Sequence, residues 1–253
     1  IDFSKTELRL LDAGAGTGIL ITALVERLRK SGYEGKITAV CYENDENVLP
    51  VLKINKRNKK EVNNVKYEIR TENYLLSQHF SDMSLFNDSV EHYDMIIGNP
   101  PYMKIAKETP EAKSMSEICH GSPNLYFLFF AMGIHNLKKG HELVYIIPRS
   151  WTSGAYFERF RKYLFTHCVI TDIHIFGSRD KVFDGDSVLQ ETMIIKVKKT
   201  LIKPHYINMS TSETSDFMNI ETCNVEYDTI VAANQFVFLV TNSREAEILS
   251  RVN

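Results

Sequence analysis

The chain has 253 residues, 43% of them hydrophobic and 25% charged, a composition that supports one sizeable folded core and excludes a disordered or collagen-like polymer. Thirty Lys and Arg against 32 Asp and Glu give a net charge of -2, so a polyanion would need a local basic surface rather than global charge. The longest apolar run, Leu125 to Ile134, is about half of the roughly 20 residues that cross a bilayer, no signal-peptide shape opens the chain, and Cys41, Cys119, Cys168 and Cys223 lack metal-ligand spacing. These features point to a soluble, cytoplasmic protein with no membrane partner, no disulfide framework and no metal. The first residue, Ile1, and the polar ending NSREAEILSRVN read as those of a fragment of something longer.

Apolar runs alternate with amphipathic segments as far as about Lys199, the pattern of strand-helix units building a mostly parallel sheet. Leu8 to Asp12 is the first predicted strand and Ile19 to Lys30 the first helix. Ile37 to Tyr42 is the second strand, followed by a helix over Asn47 to Asn58. Val65 to Thr71 alternates as strand three, and Tyr93 to Ile97, bounded by Gly98, is a continuous apolar strand of the fully buried kind. Asn124 to Leu137 reads as an aromatic-rich helix closed by Lys138, Lys139 and Gly140. Leu143 to Ile147 is strand five, Tyr156 to Phe165 a helix, and Val169 to Phe176 and Thr192 to Val197 the last strands. Two long loops, Met103 to Pro123 and Gly177 to Leu189, each follow a predicted strand, at the sheet edge where ligands of open α/β folds bind.

Between the first strand and the first helix stands Leu11-Asp12-Ala13-Gly14-Ala15-Gly16-Thr17-Gly18. Its glycines are spaced G-x-G-x-G, not the G-x-G-x-x-G of a dinucleotide site, and Asp12 puts an anion where a pyrophosphate would need donors. An acidic, glycine-lined loop suits a cationic ligand. Glu43, just past strand two, is placed to accept hydrogen bonds from both hydroxyls of a ribose, so the pair points to an unphosphorylated nucleoside.

Asn99-Pro100-Pro101-Tyr102 follows the fourth strand as a rigid projection, because consecutive prolines neither continue a ladder nor enter a helix interior. A proline carbonyl freed at such a bend and the Asn99 side-chain oxygen offer two acceptors, and Tyr102 offers a ring. The set fits a planar group bearing an amino substituent, such as adenine. Asp12, Glu43 and Asn99 all fall at carboxyl ends of predicted strands, on one edge of one sheet.

DAGAGTG, a second-strand Glu and NPPY together resemble the S-adenosylmethionine-dependent amino methyltransferases, specifically the gamma class of DNA adenine-N6 methyltransferases of restriction-modification systems. The resemblance spans about Leu8 to Lys199. It implies a Rossmann-like methyltransferase fold: a seven-stranded, mostly parallel sheet with helices on both faces and an antiparallel last strand. It also implies a catalytic domain over residues 1–200 and an extension, 201–253, leading toward a target-recognition region outside this chain, or a partner subunit supplying one. By resemblance Asp12, Gly14 and Gly16 are the methionine-binding loop of an S-adenosylmethionine site and Glu43 its ribose ligand. Asn73-Tyr74 is similar to an Asp-Phe pair beside the cofactor adenine, with Asn in place of Asp. Asn99, Pro100 and Tyr102 are the catalytic residues, with Pro101 and Phe183 contacting the target base and Phe183 stacking on its far face. The implied partner is double-stranded DNA, whose adenine would be flipped into the site and methylated on N6.

The run Tyr126, Phe127, Phe129, Phe130 covers most of a helix circumference and reads as core packing. His120, His135 and His141 have no partner at a telling spacing. Lys104, Lys107, Lys113, Arg149, Arg179 and Lys181 lie in active-edge loops and either line a groove for DNA phosphates or form a solvated surface. Three other readings compete: a protein-glutamine or RNA-guanine methyltransferase using the same NPPY, a nicotinamide-dependent oxidoreductase, for which the loop spacing and Asp12 are wrong, and a non-catalytic DNA-binding subunit, which has no need of an intact NPPY.

Overall fold

A computed structural model describes residues 5–57, 64–80, 91–177, 191–213, 217 and 219–252. In chain order the elements are β1 (Glu7–Ala13), α1 (Ile19–Lys30), β2 (Lys36–Tyr42), α2 (Leu49–Arg57), β3 (Val65–Arg70), α3 (Tyr74–Ser77), β4 (Tyr93–Gly98), α4 (Pro110–Ser114), α5 (Leu125–Asn136) and β5 (Leu137–Pro148), followed by α6 (Glu158–His167), β6 (Val169–Phe176), β7 (Thr192–Lys198), β8 (Tyr206–Ser212), β9 (Glu221–Glu226), α7 (Tyr227–Ile230) and α8 (Ser243–Val252). The strands form one sheet in the order β3-β2-β1-β4-β5-β7-β6-β8-β9. Strands β1 to β5 run parallel, and β7 inserts antiparallel between β5 and β6.

The central strands read as continuous apolar runs because both faces of the sheet are covered. Successive residues of β1 serve opposite faces: Leu8 and Leu10 pack with Ile21, Val25 and Leu28 of α1, whereas Leu11 and Ala13 belong to the cluster that holds α5 and α6. Helix α5 is apolar all round and buried on nearly every side, and Gly133 lets it lie close on β5, since a Cβ there would come within 2.7 Å of Leu143 Cδ1. Each aliphatic side chain buried in this way contributes about 1.5–3 kcal/mol relative to exposure.

Three expectations need correction. The described sheet has nine strands rather than seven, because residues 206–226 add β8 and β9 beyond β6. Helix α5 is not closed by Lys138, Lys139 and Gly140: it stops at Asn136, and those residues begin β5. Lys199 Nζ donates to the carbonyls of Ile134, His135 and Leu137, neutralising the helix end from across the fold, while Lys138 reaches Asp94 at 2.8 Å. The segment after NPPY is more ordered than a bare loop: it carries α4 and buries Ala112, Met115, Ile118 and Cys119. Both its ends are stitched, by Ile105 N to Pro123 O and Leu125 N to Met103 O.

Candidate cofactor and catalytic site

β1 lies between β2 and β4, so the segments that follow these three strands sit side by side at one sheet edge. This adjacency brings the glycine loop, Glu43 and Asn99 together as their strand positions require. The Gly14 and Ala15 N–H groups both donate to Tyr42 O at 2.9 Å, which folds the loop back over the end of β2. Gly14, Gly16 and Gly18 have φ of 75°, 54° and 78°, a left-handed backbone that side-chain-bearing residues adopt at a cost.

A Cβ at Gly14 would lie 3.8 Å from both Phe129 Cε1 and Pro101 Cδ, and one at Gly16 would meet nothing within 4 Å. The loop therefore lies with bare backbone beside α5 and the NPPY segment at Gly14 and is open at Gly16. This is a cradle that side chains would fill, and it fits the cofactor implied by the resemblance.

Glu43 is half-buried and its carboxylate already works locally: Oε2 accepts from Gly16 N at 2.7 Å and Oε1 from Asp45 N at 2.9 Å. Asp12 is only 1% exposed, and a Cβ on Gly98 would stand 3.5 Å from its Oδ1 and 3.0 Å from Tyr145 Cε1. Its side chain thus sits beneath the start of the NPPY segment. Burial and, secondarily, the Asp12 charge push the Tyr145 hydroxyl well above its ordinary pKa.

Asn73 caps α3, its side-chain oxygen accepting from Leu76 N at 3.2 Å, and its Nδ2 donates to Glu111 Oε1 at 2.9 Å. Glu111 belongs to α4, so the segment after NPPY reaches the Asn73-Tyr74 corner. Tyr74 is buried with its hydroxyl donating to Asn136 Oδ1 at 2.8 Å, and its ring packs between Tyr42 and Phe129.

In the NPPY segment the Tyr102 hydroxyl lies 2.6 Å from Asn99 Oδ1 and 2.9 Å from the Ile146 carbonyl oxygen of β5. Burial raises its pKa, so the group stays a neutral phenol. Its ring meets Tyr126 edge-on at 6.4 Å, and Tyr126 in turn bonds Ser150 Oγ at 3.0 Å.

The residue missed by sequence reasoning is Phe129. Tyr126, Phe127 and Phe130 are buried as expected, but Phe129 is half-buried and faces Gly14 and Pro101. No stripe marks it, because every side of α5 is apolar.

Arg149 is engaged within the fold: it contacts Glu191 Oε2 at 3.2 Å and the Phe176 and Thr192 carbonyls, clamping the ends of β6 and β7. Lys104, Lys107 and Lys113 are exposed on the active-edge segment. Phe183, Arg179 and Lys181 lie outside the described residues.

Comparison with known proteins adds to this geometry. The Eco57I restriction-modification methylase family matches residues 19–183. The chain belongs to that family. It is 33% identical over 256 residues to the Type II methyltransferase M.PstI of Providencia stuartii and 31% identical over 260 residues to M.BsuBI of Bacillus subtilis. These alignments cover 97% and 99% of this chain but 49% and 52% of the relatives, so the chain spans about half their length. Among solved structures, a Listeria monocytogenes protein described as a class I S-adenosylmethionine-dependent methyltransferase superposes with a TM-score of 0.63 at 18% identity, over 84% of this chain and 60% of that one. The Type ISP restriction-modification enzyme LlaGI, solved with a DNA substrate mimic, gives 0.61 at 14% identity over 95% of this chain and 29% of that one. At such identities the two superpositions establish the fold: a Rossmann-like class I methyltransferase sheet.

Proposed function

We propose that this chain is the catalytic core of an S-adenosylmethionine-dependent DNA methyltransferase that modifies the N6 amino group of adenine in double-stranded DNA, as the modification activity of a restriction-modification system. One observation carries the reading: a Cβ on Gly14 would lie 3.8 Å from both Pro101 and Phe129, so the glycine loop proposed to hold the cofactor lies directly beside the NPPY segment proposed to bind the amino group. Membership of the restriction-modification methylase family favours DNA over a protein-glutamine or RNA-guanine substrate.

In this reading Gly14 and Gly16 admit the cofactor against the backbone, Asp12 supplies negative potential beneath it, and Glu43 and the Asn73-Tyr74 corner hold its nucleoside end. When bound, S-adenosylmethionine supplies an electrophilic sulfonium methyl. The amino nitrogen of adenine is a poor nucleophile because its lone pair is delocalised into the ring. Asn99 and the Pro100 carbonyl accept its two hydrogens and hold them out of the ring plane, which localises the pair and aims it. Tyr102 stacks on one face of the extruded base, against Pro101, and Phe183 on the other; this compensates an unstacking cost of a few kcal/mol. Residues 1–200 carry the residues of the proposed site, and residues 201–253, which begin by adding β8 and β9 to the same sheet, lead toward a target-recognition region.

The test is transfer of labelled methyl from S-adenosylmethionine to a panel of duplex DNA, RNA and protein, with nucleoside analysis of the product. N6-methyladenine in DNA supports the reading. Label in cytosine, RNA or protein alone overturns it.

A further inference from the structure

Resting on that reading, we propose that the Tyr102 hydroxyl is the group that sets the orientation of the Asn99 amide, holding its oxygen in the position where it also accepts from the substrate. Tyr102 is thereby a positioning residue through its hydroxyl, in addition to any stacking by its ring.

The hydroxyl carries a single proton and stands between two oxygens, Asn99 Oδ1 at 2.6 Å and Ile146 O at 2.9 Å. Ile146 O belongs to the backbone of β5 and only accepts. Asn99 is different, because half a turn about its terminal bond exchanges an acceptor for a donor while leaving the side chain in place. The Tyr102 hydroxyl donates to Oδ1 at 2.6 Å, with the Ile146 carbonyl beside it at 2.9 Å, and so fixes which side of the amide carries the oxygen. An amide oxygen has two lone pairs, so one accepts from the phenol and the second is left for an N–H of an incoming amino group. Without the hydroxyl, half a turn would put the Nδ2 donors in that place, against the N–H bonds of the substrate.

β5 anchors the phenol from behind. Ile146 pairs with Ile194 in the β5–β7 ladder, so its carbonyl is held on the paired backbone of a central strand. The Tyr102 hydroxyl also has its proton at all ordinary pH values, since burial raises its pKa.

The experiment is a double-mutant cycle in full-length protein, read by single-turnover methyl transfer to target duplex. Tyr102→Phe retains the ring and removes only the hydroxyl, so the transfer rate is expected to fall at least 10-fold, while KM for DNA and Kd for the cofactor change less than 2-fold. Asn99→Asp replaces the amide with a carboxylate whose two oxygens are equivalent, leaving nothing to orient. In that background Tyr102→Phe is expected to cost less than 2-fold further. Equal losses in both backgrounds would assign the hydroxyl an ordinary structural role and overturn the inference. If Asn99→Asp turns over too slowly to measure, the single variant decides: a rate within 2-fold of wild type, or a loss confined to KM, overturns it, and a rate-specific loss supports it. Failure of the wild-type protein to methylate adenine would instead overturn the functional reading, so the two failures are distinct.

Discussion

Glu43 Oε2 accepts a hydrogen bond from the Gly16 N–H at 2.7 Å, so the carboxylate expected to meet a ribose also fastens the glycine loop. Charge-assisted bonds of this kind are worth about 1–3 kcal/mol each when removed. Glu43→Ala is therefore expected to weaken S-adenosylmethionine binding by roughly 10- to 100-fold, with a smaller loss for Glu43→Gln, which keeps one acceptor. Calorimetry checks this; unchanged affinity in the Ala variant would detach Glu43 from the cofactor site, and NAD binding as tightly as S-adenosylmethionine would reject the cofactor itself.

Gly14 has φ of 75° and no side chain between the loop and the Pro101–Phe129 wall. Gly14→Ala adds a left-handed backbone penalty of about 1–2 kcal/mol and puts a methyl group into the cofactor space. Lower cofactor affinity in a folded protein is the expected result, with circular dichroism and calorimetry as the paired readouts. An Ala variant that binds as well as wild type would move the cofactor away from Gly14.

Asn99 touches the reacting amino group in the proposed site but not the cofactor cradle. Asn99→Ala should remove most turnover while cofactor Kd stays within about 2-fold, the signature of an interaction made in the transition state. Near-normal turnover excludes it from catalysis.

Base stacking on Tyr102 and Phe183 predicts a loss of about 1–3 kcal/mol for Ala at either position. A mismatch opposite the target adenine should partly restore both variants, because an unpaired base costs less to extrude. Equal losses on matched and mismatched duplexes would return the ring concerned to a packing role.

Away from the site, Glu91 accepts from Arg70 Nη2 at 2.9 Å and from Tyr93 Oη at 2.8 Å. The Arg70 bond, opposed by desolvation and helped by Tyr93, pulls its carboxyl down to about 2 from an ordinary 4.5. A folded-state value below the unfolded one stabilises the protein above the unfolded pKa, and this stabilisation is lost as pH falls through the folded one. Glu91→Gln should therefore lower Tm at neutral pH and flatten its decline between roughly pH 5 and 2. Parallel Tm curves for the two proteins over that window would show that the carboxylate contributes no linkage.

The placement of the glycine loop, Glu43 and Asn99 at one edge was legible in the sequence because its signals are local. A left-handed turn after an apolar strand demands glycine, as at Gly14, Gly16 and Gly18, and two prolines after Gly98 end a strand whatever surrounds it. Strand order then brings the loop, Glu43 and Asn99 to one edge, since side chains at the carboxyl ends of adjacent parallel strands have nowhere else to go. What only the tertiary structure decided involves partners far apart in the chain. β8 and β9 were not anticipated because YINMSTS and ETCNVE are half-polar segments that become strands by pairing with β6 and with each other. Phe129 could not be singled out on a helix without a polar face. Arg149 carries a charge that suggested phosphate, yet its direction was set by Glu191 and the Phe176 carbonyl, 42 and 27 residues away. The Asn73–Glu111 and Tyr102–Ile146 bonds likewise join residues 38 and 44 positions apart. Residue types and turns determined which chemistry the edge carries, and nonlocal packing decided which atom of each side chain faces the space where it would act.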